Sequence, residues 1–67
     1  MKNEYLRKRI LKKGEKSVMD IMGLNNDYSC LTIENNIYTY YSKDLKKECV
    51  IIFSEKGRAK EVAFKEN

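Results

Sequence analysis

Histidine is absent from this chain of 67 residues, and its absence removes much of the chemistry available to a small enzyme. Histidine is the usual general base near neutral pH, the commonest metal ligand and the partner that activates serine and cysteine nucleophiles. We therefore expect no catalytic activity, no metal site and no cofactor. We also expect no small-molecule substrate.

Cysteine is scarce, since only Cys30 and Cys49 are present. Two thiols without histidine are too few for a structural zinc site. The strand register described below predicts that they lie on opposite faces of a sheet, on strands separated by a third, so no disulfide is expected between them. The sequence thus predicts two reduced thiols, as in a cytoplasmic protein.

Long apolar runs are also missing. No segment approaches the roughly 20 apolar residues that a membrane-spanning helix requires, so no membrane span is expected. The N-terminus MKNEYLRKRILKKG has no uninterrupted apolar segment of the kind found in secretory signals. We expect the chain as written to be cytoplasmic, or to lie in the cell envelope if a leader was removed.

Charge, in contrast, is abundant and unevenly distributed. Residues 1–16 contain seven Lys and Arg against Glu4 and Glu15, a net charge of +5, whereas the remainder has a net charge of −1. Such a distribution is typical of a solvated helix face and also of a weak anion-binding patch. The candidate patch residues are Arg7, Lys8, Arg9, Lys12 and Lys13.

A first helix is predicted from Glu4, with Asn3 as its N-cap. Leu6 and Ile10 are spaced to lie on one side of it. Gly14 is predicted to end the helix, because glycine readily adopts the left-handed conformation found after helix C-termini.

A second, shorter helix is predicted from about Ser17 to Gly23. Its apolar residues Val18, Ile21 and Met22 have the i, i+3, i+4 spacing of one helix face. Together the two helices form a helical hairpin.

Alternating strand patterns follow in four segments, YSCLTIE, IYTYYS, KECVIIFS and KEVAFK. The connections at Asn35-Asn36, at KDLK and at Lys56-Gly57 are short, which favours antiparallel neighbours. The lack of proline leaves every strand able to form hydrogen bonds on both sides. We predict one α+β domain over residues 1–67, with two N-terminal helices packed on one face of a four-stranded antiparallel meander.

The turn at Asn35-Asn36 sets the register, and a slip of one residue would turn every side chain to the other face. The face predicted to lie beneath the helices consists of Leu31, Ile33, Tyr38, Tyr40, Cys49, Ile51, Phe53, Val62 and Phe64. The opposite face consists of Tyr28, Cys30, Thr32, Ile37, Thr39, Tyr41, Val50, Ile52 and Ala63. This second face is more apolar than a fully solvated one.

An apolar outer face and few catalytic residue types favour a non-enzymatic protein-interaction or scaffold module. It would bind a protein partner or form a homodimer. The predicted interface residues are Ile37, Thr39, Tyr41, Val50 and Ile52.

The alternative is a small nucleic-acid-binding regulator that uses the basic N-terminal helix to contact phosphates. Stacking of bases on the sheet is less favoured, because Tyr38 and Tyr40 are predicted beneath the helices, with Tyr28 and Tyr41 alone facing outward.

The order of these segments resembles that of the SmpA/OmlA (BamE-like) family of small domains. The resemblance rests on LKKG at residues 11–14, VMDIMG at 18–23, YTYYS at 38–42 and CVIIFSEKGRAKEVAF at 49–64, and it covers nearly the whole chain. It implies a two-layer α+β fold. It also implies a non-enzymatic adaptor or scaffold role, which in that family supports outer-membrane assembly.

Overall fold

A computed structural model describes residues 2–26 and 28–66, with the backbone alone for residues 2 and 24–26. The elements are α1 Lys2–Ile10, α2 Glu15–Asn26, β1 Ser29–Glu34, β2 Ile37–Ser42, β3 Lys47–Phe53 and β4 Ala59–Glu66. The strands form a single antiparallel sheet in the order β1-β2-β3-β4. The predicted α+β fold, with N-terminal helices and a meander sheet, is confirmed. Neither of the described helices is long and apolar enough to cross a membrane.

Helix α1 begins at Lys2, two residues before the predicted start, so Asn3 lies within its first turn. Leu6 and Ile10 are both buried, as their spacing predicts. They are four residues apart, and residues with this separation lie on the same side of a helix. This side of α1 therefore faces the core.

The end of α1 differs from the prediction. Lys12, not Gly14, adopts the left-handed conformation, with φ at 70°. Two backbone hydrogen bonds to Ala59 hold the chain here: the Lys12 N–H donates to the Ala59 oxygen (2.7 Å), and the Ala59 N–H donates to the Lys13 oxygen (2.8 Å). The Gly14 carbonyl instead accepts from the Val18 N–H at 3.0 Å, so Gly14 opens α2.

Helix α2 is the longer of the two, with 12 residues against 9, which corrects the predicted order of lengths. It continues through Gly23, because one glycine inside a helix costs only about 1 kcal/mol. Beyond it, the Tyr28 N–H donates to the Met22 oxygen at 3.0 Å. The buried residues on its inner side are Val18, Ile21 and Met22, as predicted.

The register of the three strands β2, β3 and β4 agrees with the prediction. The predicted partners that the structure reproduces are Tyr38 with Ile51, Tyr40 with Cys49, Ile51 with Val62, and Cys49 with Phe64. The sheet residues buried against the helices are Tyr40, Cys49, Ile51, Phe53, Ala59 and Val62. Tyr38 and Phe64 are partly buried and pack against this core.

Strand β1 corrects the predicted inner face. A bulge shifts the register between Cys30 and Thr32, so that Cys30 and not Leu31 lies opposite Tyr40. Ile33 still lies opposite Tyr38, as predicted, because the shift does not extend beyond Thr32. Leu31 and Ile33, both predicted beneath the helices, are nevertheless 59% and 53% exposed. All six residues of β1 are exposed, and none of them belongs to the core.

Each of the three strand connections contains one left-handed residue. These are Asn35 (φ 53°), Lys46 (φ 52°) and Gly57 (φ 79°). Asparagine and glycine tolerate this conformation better than other residues do, which agrees with the two turns predicted from them. Lys46 carries no such signal in the sequence.

Candidate functional site

Two surfaces correspond to the predicted sites. The first is the outer sheet face, which consists of Ile37, Thr39, Tyr41, Val50 and Ile52. Ile37 lies directly opposite Ile52, and Thr39 lies opposite Val50. Because successive side chains of a strand point to opposite faces, and the intervening residues belong to the core, this face is turned away from the helices.

Neighbouring side chains shield much of the outer sheet face. Ile37 is 41% exposed, while Thr39, Tyr41, Val50 and Ile52 are half-buried. Ala63, opposite Val50, extends the apolar area onto β4. Charged residues of both signs surround this area and share its face by register: Glu34, Glu48, Glu61 and Lys65.

Two residues predicted on the outer face lie elsewhere. Tyr28 is 4% exposed and belongs to the core beneath the helices. Cys30 lies opposite Tyr40 and therefore shares the face of that core residue. The β1 bulge explains the second correction, because one extra residue changes which face the preceding residues occupy.

Both cysteines are free, with Cys30 exposed and Cys49 buried. Cys30 of β1 and Cys49 of β3 both lie directly opposite Tyr40 of β2, one on each side of it. The two cysteines therefore lie on the same face of the sheet, contrary to the prediction. Strand β2 still lies between them, which separates their Cα atoms by about 9–10 Å, beyond the ~7 Å limit for a disulfide. The absence of a disulfide thus follows from strand spacing and not from opposite faces.

Neither thiol is activated as a nucleophile. Burial raises the pKa of the Cys49 thiol to about 12, although the nearby Arg7 charge opposes this rise. Burial, followed by the negative charge of Glu15, raises the pKa of Cys30. Reactive cysteines depend on a lowered pKa, which neither residue has.

The hydroxyls of Tyr28, Tyr38 and Tyr40 are also unsuited to act as general bases, because their raised pKa values keep them protonated near neutral pH. Burial raises the pKa of Tyr40 to about 12 and also raises the pKa of Tyr28. The Tyr38 hydroxyl donates a hydrogen bond to the Glu15 carboxylate, and this bond raises the Tyr38 pKa. The hydroxyls of Tyr28 and Tyr40 are buried and have no hydrogen-bond partner in the described structure.

The described part of the chain contains no candidate metal site. There, no three side chains of the His, Cys, Asp and Glu types are grouped closely enough to hold an ion.

The second surface lies on α1, and within it Arg7 is held by the fold. Its Nε donates to the Val62 oxygen of β4 at 3.2 Å, and its Nη1 pairs with the Glu4 carboxylate. Its guanidinium carbon lies 6.0 Å from the centre of the Phe64 ring. Arg7 therefore connects α1 to the sheet. Because its guanidinium already makes these contacts, Arg7 is the member of the predicted anion-binding patch least available to bind an anion.

Three other patch residues, Lys8, Arg9 and Lys13, lie around one shallow depression of about 430 Å³. Tyr5 and Ile21 complete its lining, and we call these five residues the basic depression. Lys12 is exposed but lies outside it.

Tyr5 lines the basic depression but is not among the site residues predicted from the sequence. The Arg9 Nη1 donates to the Tyr5 hydroxyl at 3.0 Å, and the guanidinium carbon lies 5.7 Å from the centre of the ring. The sequence signal for this contact is the i, i+4 spacing of Tyr5 and Arg9 on a helix.

Comparison of the chain with protein-family models, with curated proteins and with solved structures found no match. The resemblance to the SmpA/OmlA (BamE-like) family therefore stays a hypothesis.

Proposed function

We propose that this chain is a non-enzymatic protein-interaction or scaffold module that forms a homodimer through the outer sheet face. The observation that carries the proposal is the apolar area of this face, which runs across β2 and β3 and is covered by neither of the two described helices. An antiparallel sheet with one solvated face usually has polar residues there, whereas this one has Ile37, Val50 and Ile52 at its centre.

A second copy of the same face is the partner we favour. The centre is apolar, and the surrounding residues include Glu48, Glu61 and Lys65, which provide both signs of charge. In a twofold arrangement each copy presents the same patch, so the acidic residues of one copy can oppose the basic residue of the other. Two such sheets would pack about 10 Å apart, with their apolar side chains interdigitated.

Support for a role without catalysis comes from the titratable groups. The raised pKa values of Cys30, Cys49 and Tyr40 keep these side chains in their protonated forms near neutral pH. An adaptor or scaffold role is also what the SmpA/OmlA resemblance implies.

The test replaces Ile52 by lysine, which would place a charge at the centre of the interface. The matched control is Ile33→Lys, because Ile33 is also exposed but lies on β1, outside the outer sheet face. We expect sedimentation to give a dimer for the wild type and for Ile33→Lys, and a monomer for Ile52→Lys. If Ile52→Lys does not fold, Ile37→Lys serves in its place, because Ile37 is 41% exposed.

A monomeric wild type at high micromolar concentration would rule out self-association. A dimer that persists in both Ile52→Lys and Ile37→Lys would rule out this face as the interface.

A further inference from the structure

Among the described residues, no acidic side chain forms a salt bridge with the cations of the basic depression. The salt bridges between described residues are Arg7 with Glu4 and Lys47 with Glu66, and neither involves Lys8, Arg9 or Lys13. The pairing of Arg7 with Glu4 also neutralises the acidic residue of α1. Three positive charges therefore remain available on one side of the helix layer.

The ring of Tyr5 is exposed without contributing to the core. It is 59% exposed, whereas the neighbouring Leu6 is buried. Arg9 fixes its position through the hydroxyl contact and the cation–π contact, so the ring is oriented before any ligand binds. An exposed aromatic ring with cations around it is the combination by which proteins hold unpaired nucleic acid bases and their phosphates.

We propose that the basic depression binds a short segment of single-stranded nucleic acid. One base stacks on the Tyr5 ring, and Lys8, Arg9 and Lys13 contact the adjacent phosphates. The ring favours this ligand over an acidic peptide, because carboxylates would use the cations and leave the ring without a partner. A single strand is favoured over a duplex, because the bases of a duplex are already stacked on one another.

This inference is independent of the homodimer proposal. The basic depression lies on the helix layer, whereas the outer sheet face lies on the opposite side of the sheet. Loss of self-association therefore leaves it intact, and loss of nucleic acid binding leaves the dimer intact.

The test measures fluorescence anisotropy with labelled ten-nucleotide probes: single-stranded DNA, single-stranded RNA and a DNA duplex, at two salt concentrations. Polyglutamate serves as a competitor. We expect both single strands to bind more tightly than the duplex, and the difference between them will show which sugar is preferred.

Tyr5→Ala is expected to weaken single-strand binding at least about fivefold, from the usual contribution of base stacking. Tyr5→Phe is expected to retain most of the affinity, because it keeps the ring. The double variant with Lys8→Gln and Lys13→Gln is expected to reduce the slope of log affinity against log salt by about 1.4, since each single-strand phosphate contact contributes about 0.7. The matched control is Lys43→Gln, an exposed lysine outside the depression, which should have little effect.

Three results would each overturn the proposal: no binding at low salt, equal affinities of Tyr5→Ala and wild type, or preferential binding of polyglutamate. The last result would identify an acidic peptide as the ligand. Circular dichroism of each variant establishes that it is folded before binding is compared.

Discussion

Raising the pH from 7 to 10.5 is expected to destabilise the fold by about 2 kcal/mol through the ionisation of Cys49 alone. The side chain has no exposed surface, and it lies between Tyr40 and Phe64 in the sheet. Burial raises the pKa of the thiol from 9.0 to about 12 in the folded protein. In the unfolded chain the thiol is solvated and ionises at its ordinary pKa.

The sign follows from the number of protons bound in each state. Between pH 9 and 12 the folded protein retains the Cys49 proton while the unfolded chain loses it. The free energy of unfolding then falls by about 1.4 kcal/mol for each pH unit. Below pH 9 both states bind the proton, and the contribution of Cys49 to the pH dependence vanishes. One and a half units above pH 9, the loss is about 2 kcal/mol.

The assay is urea unfolding at a series of pH values between 7 and 10.5, for the wild type and for Cys49→Ala. Every other ionisable side chain is present in both proteins, so the difference between the two curves reports on Cys49. Cys49→Ala is expected to be less stable at pH 7 because it leaves a small cavity, but its stability should decline less steeply above pH 9. Parallel curves for the two proteins would refute the argument that the thiol is desolvated in the core.

Three further predictions concern single residues and are checked by urea denaturation at neutral pH. Tyr40→Phe is expected to leave stability unchanged or to raise it by up to about 1 kcal/mol, because the buried hydroxyl has no hydrogen-bond partner in the described structure; a loss above about 1 kcal/mol would indicate a partner. Gly57→Ala should lower the free energy of unfolding by about 1 kcal/mol, because alanine is strained at the positive φ of this position. A steric clash does not contribute, since no atom lies within 4 Å of the added Cβ. Lys12→Gly should stabilise by about 0.5 kcal/mol for the converse reason; equal effects of the two substitutions would contradict this account.

The parts of the fold that the sequence predicts well are those supported by a repeated pattern. Strands β2 and β3 alternate over six and seven residues, and a shift of register would bury or expose a whole set of side chains at once. The buried residues of the helices follow from spacing in the same way. These patterns suffice for the α+β fold and for the position of the outer sheet face.

The ends of the helices depend on contacts that are distant in sequence. Lys12 takes the left-handed conformation although Gly14 is two residues away, because the backbone of Lys12 and Lys13 bonds to Ala59 of β4. Local preference would assign this conformation to glycine. A similar limit applies to Arg7, whose charge suggested a ligand but whose bond to Val62 joins α1 to the sheet.

The bulge in β1 shifts the register by one residue, and the functional inferences differ in whether they depend on that register. The shift affects the residues of β1 that precede Thr32, since Cys30 and not Leu31 lies opposite Tyr40, whereas Ile33 lies opposite Tyr38 as predicted. The outer sheet face is defined by β2 and β3, which contain no bulge between them, so its five residues stay together. The predicted lack of a disulfide is also independent of the bulge, because the distance between the cysteines across the intervening strand does not depend on which face their side chains occupy. An interface argued from β2 and β3 is therefore independent of the error in β1, whereas one built on the predicted pairing of Leu31 with Tyr40 would not have been.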